Sequence, residues 1–510
     1  MNEINKHIVI IGAGPGGLTA GMLLSHKGFK VTLLEKDDTV GGRNQAIHKD
    51  GFIFDTGPTF LNLPFVVNDL FALVDKNIED YLSMTMLDPL YRLAFHDKTV
   101  FITTDREKMR EQIKTHFPGN EDGLDRFMKT EEQRFRALFP CLQKDYGSLA
   151  SFMNMQLMKA LPWVEAHHTL FSNLGRYFSD DDLKICFTFQ SKYLGMSPWH
   201  CPALFTILSF MEHKYGVAHV HGGLNKISEA MASVIRENGG TINTGTAVKK
   251  LIIKNKAVTG VELESGDTID CDDVFINADF AYAMENLVDQ KHLKKYTSKK
   301  MAKKKYSCST FMIYLGLKKI YDINHHNIYF AKSYQQNIID IFDTKKLSDD
   351  ISFYIQNASV TDNSLAPQGK STMYILVPVP NNFSEIDWQA HKDAYFEKVI
   401  DTVIKRTGFT DLRQQIETTH VICPDDWEHS YNVYKAAEFN LAHTIPQMLY
   451  WRPHNKFEEF DHCYLVGGGT HPGSGLPTIY ESARISTALL CKRYDIPFPP
   501  PPTLDTLIPS

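Results

Sequence analysis

One glycine-rich turn constrains this chain more than any other stretch. Residues 7–20 read "HIVIIGAGPGGLTA". "HIVII" has the apolar run of a buried parallel strand, and a helix is expected from the glycines to about Ser25. "KVTLLE" is the next strand, so the opening is one β-α-β unit. Gly12, Gly14 and Gly17 stand in a G-x-G-x-x-G frame, with Pro15 and Gly16 between them. Gly12 permits the tight turn, Gly14 lets backbone approach a pyrophosphate, and Gly17 lets the helix pack on the strand. Free N–H groups at the helix start suit phosphate. Glu35 ends the second strand, 18 residues past Gly17, where a carboxylate accepts hydrogen bonds from ribose hydroxyls. Strand, turn, helix and acid together specify a dinucleotide site.

The segment that follows selects the dinucleotide. "DTVGGR" supplies Gly41, Gly42 and Arg43 just beyond Glu35 and Lys36. Two glycines allow a second close backbone approach, and the arginine can pair with pyrophosphate. An NAD domain has no standard need for this segment, so FAD is expected.

A chain of 510 residues suits two or three lobes. Its composition is globular, 43% hydrophobic and 22% charged. A net charge of −6 gives no reason to expect nucleic acid. The 32 phenylalanines fit either core packing or a long apolar channel. Eight scattered cysteines without a C-x-x-C pair suggest neither zinc nor a disulfide framework. "MNEINKH" leads straight into a strand, so no signal peptide is expected. No apolar run reaches the ~18 residues of a membrane span, which leaves lying on a membrane open.

Along the chain, "GFIFDTGPTF" (51–60) alternates and ends in a turn. Residues 105–210 are mostly helical in pattern, and "LASFMNMQLMKALPWV" (149–164) is the most apolar part. A helix over "LNKISEAMASVIRENGG" precedes short strands that read as a β-meander, then the buried strand "VFINAD". Strands "STFMIYLGL" and "STMYILVPVP" and a helix over "DAYFEKVIDTVIKRTG" make a second lobe. "CYLVGG" and "TIYESARISTALLCKRY" are the last strand and helix. The expected fold class is α/β. A Rossmann-like FAD domain is assembled from residues 1–75, 211–284 and 456–494. Residues 76–210 form a substrate and helical lid region, 285–455 a mixed-sheet substrate domain, and 495–510 an extended proline-rich tail.

The segments "GFIFDTGPTF", "HGGLNKISEAM", "SCSTFMIYLGL", "TDNSLAPQG", "YWRPHN" and "YLVGGGTHPGSGLP" carry a resemblance. Over residues 7–492 the chain resembles the bacterial and fungal FAD-dependent carotenoid desaturases of the phytoene and dehydrosqualene type, within the wider class of flavin amine-oxidase-like folds. The "SCS" stretch looks closer to members acting on C30 chains. Three departures stand out: His462 where members have Asn or Gly, Ala436 where they have Gly, and "SFMNM" (151–155) where some read Ser-Phe-Arg-Asp-Met. Met153 and Asn154 lack the charge of Arg and Asp, so an acid–base role for that pair does not carry over.

The resemblance implies non-covalently bound FAD and desaturation of an apolar isoprenoid. In it, hydride passes from an allylic carbon to flavin N5 and a proton is then lost. An electron acceptor follows: oxygen, quinone or NAD. Gly57, Pro58 and Thr59 look like the loop beside the isoalloxazine, and Val248 like the backbone position meeting adenine. Asn277 and Asp279 end the last strand of the FAD lobe. Gly468 and Gly469 are placed against the ribityl–phosphate region. Gly473 and Gly475 let backbone pass close to the flavin ring, and Leu476 and Pro477 begin a helix directed at its N1 and O2. The catalytic base is unassigned. Asp425 and Asp426 form an acidic pair better read as a helix N-cap. His167–His168 and His325–His326 are adjacent, and such neighbours do not face each other on a regular helix or strand. They read as surface or hydrogen-bonded histidines, and no metal is expected.

An insoluble substrate implies a monotopic protein on the cytoplasmic side of a membrane, with residues 149–175 as the apolar patch. The lysines between 291 and 305 could add on the order of 1 kcal/mol each near anionic lipid, or form a solvated face. A polyene isomerase or saturase on the same scaffold is the main alternative. An amine oxidase or a non-enzymatic flavoprotein is a more distant one.

Overall fold

The computed structural model describes residues 4–152 and 154–508. Strand Ile4–Ile11 is the centre of a five-stranded parallel sheet. The sheet order is Thr241–Asn243, Phe29–Leu34, Ile4–Ile11, Asp273–Ile276, Cys463–Leu465. The central strand is apolar on both faces because both are covered. Ile8 and Ile10 enter one core with helices Pro15–His26 and Asn225–Glu237, while Val9 and Ile11 enter another with the antiparallel meander. That meander comprises Val248–Lys254, Ala257–Leu263 and Thr268–Asp270. Three distant parts of the sequence thus close one sheet, and the long C-terminal helix Leu476–Arg493 packs on the first helix.

The second sheet has seven strands, ordered Ile416–Ile422, Ser309–Leu317, Ser371–Val379, Phe353–Gln356, His326–Tyr329, Tyr91–Ala94, Thr99–Ile102. All pairs are antiparallel except His326–Tyr329 with Tyr91–Ala94. Phe311, Ile313, Leu315 and Leu317 pack beneath helix Trp388–Thr407. Met312 and Tyr314 point the other way, against Phe52 and Phe54 of strand Phe52–Asp55.

Helices Arg106–His116, Glu121–Leu142, Met155–Val164 and Ile207–Tyr215 lie in the region expected to be helical. Two of the expected boundaries need correction. Tyr91–Ala94 and Thr99–Ile102 fall within 76–210 but belong to the second sheet; at four residues each they are too short to show a period. The C-terminal tail is not merely extended: Thr503 caps a helix over Leu504–Leu507, Leu504 is buried, and Asp505 pairs with Arg136 at 2.8 Å. Among the described residues no helix is long and apolar enough to cross a membrane.

Candidate functional site

A single cavity of about 920 Å³ runs between the two sheets and under the helical layer. This is near the upper end of ordinary ligand pockets. Gly12, Gly14, Pro15, Gly16, Glu35, Lys36, Gly42 and Arg43 all line it. So do Gly57, Pro58, Thr59, Val248, Asn277, Asp279, Gly468, Leu476 and Pro477. Gly17, Gly41 and Gly469 do not reach its wall. A Cβ on Gly17 would lie 2.1 Å from the Gly12 carbonyl oxygen, so Gly17 is needed for close helix–strand packing. Gly41 donates its N–H to Ala13 O (2.8 Å) at φ +120°. Gly469 is corrected: it packs against Phe280, where a Cβ would come within 2.5 Å, and Gly467 takes the wall position.

At one end, Glu35 is buried, and its carboxylate accepts from Ala13 N (2.6 Å) and Asp37 N (3.0 Å). Burial raises its pKa, and those two N–H groups hold it back toward the charged form. Asn277 braces the glycine turn by donating to Gly12 O at 3.0 Å. A Cβ on Gly16 would sit 2.6 Å from Asn277 Oδ1, so that position tolerates only glycine. Helix Pro15–His26 begins at Gly14 with no side-chain cap, leaving its first N–H groups facing the cavity. Asp279 caps helix Phe280–Asn286, accepting from Tyr282 N at 3.1 Å. Arg43 donates to the Glu438 carbonyl.

At the other end, Gly57–Thr59 lies under three tyrosines of the second sheet. Tyr374 Oη donates to Gly57 O (2.7 Å), Tyr314 Oη donates to Thr56 O, and Tyr354 Oη is 2.8 Å from Thr59 Oγ1. Gly473 (φ +143°) and Gly475 (φ +115°) hold backbone conformations that suit glycine and line the cavity. Helix Leu476–Arg493 starts there with Pro477 in its first turn and no side-chain cap. Its positive end therefore faces the cavity. The uncapped first turns at both ends, the Gly16 position in the wall and the buried carboxylate fit a dinucleotide, with Gly57–Thr59 at the far end of the same cavity.

Elsewhere the lining becomes apolar, with Phe135, Leu138, Phe139, Leu157, Leu161, Phe205 and Met211. Lys192 is the conspicuous exception; burial lowers its amine to about 8, and its Nζ sits 4.9 Å above the Tyr334 ring. Glu438, also buried, accepts from Thr310 and has a raised pKa caused mainly by desolvation.

Several expectations resolve in detail. Asp426 accepts from Cys423 N (2.8 Å) as part of a capping box, and neither it nor Asp425 lines the cavity. Met153 lies outside the described residues; Asn154 caps helix Met155–Val164, accepting from Leu157 N. His325 and His326 are buried and hydrogen-bonded, and their rings do meet, 4.4 Å apart. They can because only His326 is in the strand. His219, His221 and Asp362 converge within 4.8 Å. Asp362 already accepts from His219, Gly222 N and Ser364, so the cluster is held by its own hydrogen bonds.

Sequence reasoning assigned no role to Arg452, although "YWRPHN" was conspicuous. Arg452 is fully buried and donates to Gly468 O (2.6 Å), Thr470 O (3.0 Å), Leu441 O and Gln447 O (both 3.3 Å). It also missed Tyr354, Tyr374 and His443, which reach the wall only through tertiary folding.

A nucleotide-type cavity on a parallel sheet, closed by a second, mixed sheet, is the architecture of a flavin oxidoreductase. Residues 15–490 match the family model of flavin containing amine oxidoreductases. The chain belongs to that family, and its cofactor is FAD. Within it the chain belongs with the carotenoid desaturases. It is 55% identical to a 4,4'-diapophytoene desaturase (4,4'-diapolycopene-forming) of Methylomonas sp., over 97% of this chain and 96% of the relative. It is 35% identical to an all-trans-zeta-carotene desaturase of Myxococcus xanthus, over 96% and 93%. Putrescine oxidase with bound putrescine shares the fold, with a TM-score of 0.62 at 12% identity over 96% of this chain and 99% of that structure.

Proposed function

We propose that this protein desaturates an apolar, uncyclised isoprenoid polyene in carotenoid biosynthesis, with a C30 chain of the 4,4'-diapophytoene type as the preferred substrate. The observation that carries this reading is the cavity itself: one continuous space with nucleotide-type contacts at one end and a phenylalanine- and leucine-lined arm at the other. The Methylomonas relative, named for a C30 substrate, supports the chain length. FAD, when bound, supplies the two-electron oxidant; the apolar arm aligns the chain and excludes water. Pigment analysis after co-expression with C30 or C40 precursor synthesis tests the reading. Gain of conjugation on the C30 precursor is expected, and no gain on either precursor defeats it. Anaerobic incubation with reduced flavin separates a desaturase, which stalls without oxygen, quinone or NAD as acceptor, from an isomerase, which continues.

The same reading places the protein on a membrane surface, peripherally and from the cytoplasmic side. Its support is helix Met155–Val164, whose Leu157 and Ala160 face inward while Met155, Met158 and Leu161 are 72%, 62% and 55% exposed. Leu157, Leu161, Leu449 and Trp451 belong to the cavity wall, so this apolar patch rims the arm through which a lipid-dissolved chain would enter.

A further inference from the structure

Removing hydride from an allylic carbon leaves a cation that must still lose a proton, inside a space from which water is excluded. Beside one hydroxyl of the cavity wall, that of Tyr354, lies a row of titratable side chains. Tyr354 lines the cavity, and its Oη is 2.8 Å from Thr59 Oγ1 and 2.7 Å from His326 Nδ1. His326 is fully buried, stacked on Phe60 with centroids 4.0 Å apart, and its Nε2 has no hydrogen-bond partner among the described residues. The His325 ring follows at 4.4 Å and the His219 ring at 4.7 Å beyond it, centroid to centroid, while the His325 nitrogens meet Thr361 Oγ1 (2.9 Å) and Gln356 Nε2 (3.5 Å) rather than either histidine. His219 Nε2 is 3.0 Å from Asp362 Oδ2, which lies 3.9 Å from Nδ1 of the half-exposed His221. His221 Nε2 reaches Thr85 Oγ1 at 2.8 Å.

We propose that Tyr354 accepts the substrate proton and passes its own proton to His326. A tyrosine hydroxyl has one donor and two acceptor sites. Donating to His326 and accepting from Thr59 leaves Tyr354 one lone pair for the cavity. After hydride has left to the oxidised cofactor, an adjacent C–H bond breaks and its electron pair becomes the new C=C bond. The proton goes to Tyr354 Oη as the Tyr354 proton moves to His326 Nδ1. No tyrosinate forms, and the positive charge moves from carbon to the His326 imidazole. Burial keeps Tyr354 and His326 neutral beforehand, raising the first and lowering the second. A buried imidazole is a weak base, but an allylic carbocation is a far stronger acid than imidazolium. Asp55, whose pKa burial lifts to about 6, and Tyr374 also face this row.

This inference rests on the desaturase reading, which wild-type conversion of the same polyene tests separately. In anaerobic single turnover of the FAD-loaded enzyme, Y354F and H326F should slow product formation by about 10²–10⁴-fold and abolish its solvent isotope effect, with flavin content retained. H326N, which keeps a hydrogen bond to Tyr354 but carries no proton, should behave as H326F. In the ¹⁵N spectrum of histidine-labelled protein, Y354F should shift the His326 Nδ1 resonance. Folded, flavin-loaded Y354F or H326N within three-fold of wild type would overturn the proposal. So would variants that are slow but keep the wild-type solvent isotope effect.

Discussion

Arg452 Nη2 donates to the carbonyl of Gly468 at 2.6 Å, from a position with no access to water. The same guanidinium also holds Thr470, Leu441 and Gln447, so one side chain fixes the loop that presents the C-terminal glycines to the cavity. A buried carbonyl without its donor costs roughly 1–3 kcal/mol. Arg452→Ala should destabilise by several kcal/mol and lose FAD. Arg452→Lys, a point charge without the planar fork, should fold but bind FAD at least about 10-fold more weakly. Thermal unfolding and flavin fluorescence measure the two effects.

Glu35 ties the glycine turn to the cavity wall. Its carboxylate already holds Ala13 N and Asp37 N, and it forms part of the cavity wall. Glu35→Gln keeps one acceptor oxygen at nearly the same volume but removes the charge that strengthens hydrogen bonds from ribose. The expected result is a loss of FAD affinity of about 10-fold, together with a lower unfolding midpoint of the apoprotein because the amide nitrogen faces one of the two backbone N–H groups. Titration of apoprotein with FAD checks it; unchanged affinity would remove Glu35 from the ribose site.

Two of the departures from the family pattern have a common backbone cause. Ala436 has φ +54° and His462 φ +62°, the left-handed region that costs most residues about 1 kcal/mol or more. Glycine or asparagine at these positions avoids that cost. His462 has a compensation: its Nε2 meets Arg493 at 2.8 Å and its ring lies 3.4 Å from Asp273. Ala436 has only its packing. Ala436→Gly should therefore stabilise by about 1 kcal/mol, and His462→Gly should gain less. Paired thermal or urea denaturation reads the difference.

These positions show where sequence reading succeeds and stops. The Gly12–Gly17 turn and Glu35 were legible because they sit in one continuous β-α-β unit whose spacing is set by local geometry. Leu476 and Pro477 were legible for the same reason, as a helix start. Tyr354, Tyr374 and Arg452 were not, because each contacts residues remote in sequence and no local period marks which face of a fully buried strand meets a ligand. The His325–His326 ring contact escaped because it depends on His325 lying just outside its strand. Gly467 and Gly468 line the cavity where Gly468 and Gly469 were expected, a shift of the pair by one residue, since a run of three glycines carries no internal register.

The exposed rim of the cavity predicts a surface activity. Met155, Met158 and Leu161 recur on one face of a short helix, away from the buried Leu157 and Ala160. Burying three such side chains in lipid is worth roughly 1.5–3 kcal/mol each. Replacing Met155 and Met158 by Glu should weaken vesicle binding by at least about 100-fold while leaving FAD binding intact, because neither residue lines the cavity. Co-sedimentation with phosphatidylcholine vesicles is the measurement, and undiminished binding would place the membrane contact elsewhere.

Buried histidines predict the acid limb of stability. Burial lowers His213 to about 4 and His325 and His471 to about 3, and it holds His326 and His443 well below the ordinary value of 6.5. In the unfolded chain the same groups take protons near pH 6.5. Between that pH and their folded pKa values, the unfolded state therefore binds more protons. The sign follows: the contribution is fully present above pH 6.5 and is lost as pH falls toward 4 and 3. Each group costs about 1.4 kcal/mol per pH unit over that window. Stability should thus fall steeply between pH 6 and pH 4, before most surface carboxylates titrate. His213 lies outside the cavity wall and stacks on Phe187, with ring centroids 4.7 Å apart. His213→Phe should lower stability at pH 7 for want of a partner to Ser209 O, yet make the acid limb shallower by one proton. Denaturation midpoints from pH 7 to pH 4 for wild type and this variant decide the matter, and parallel curves would mean that His213 is not neutral when folded.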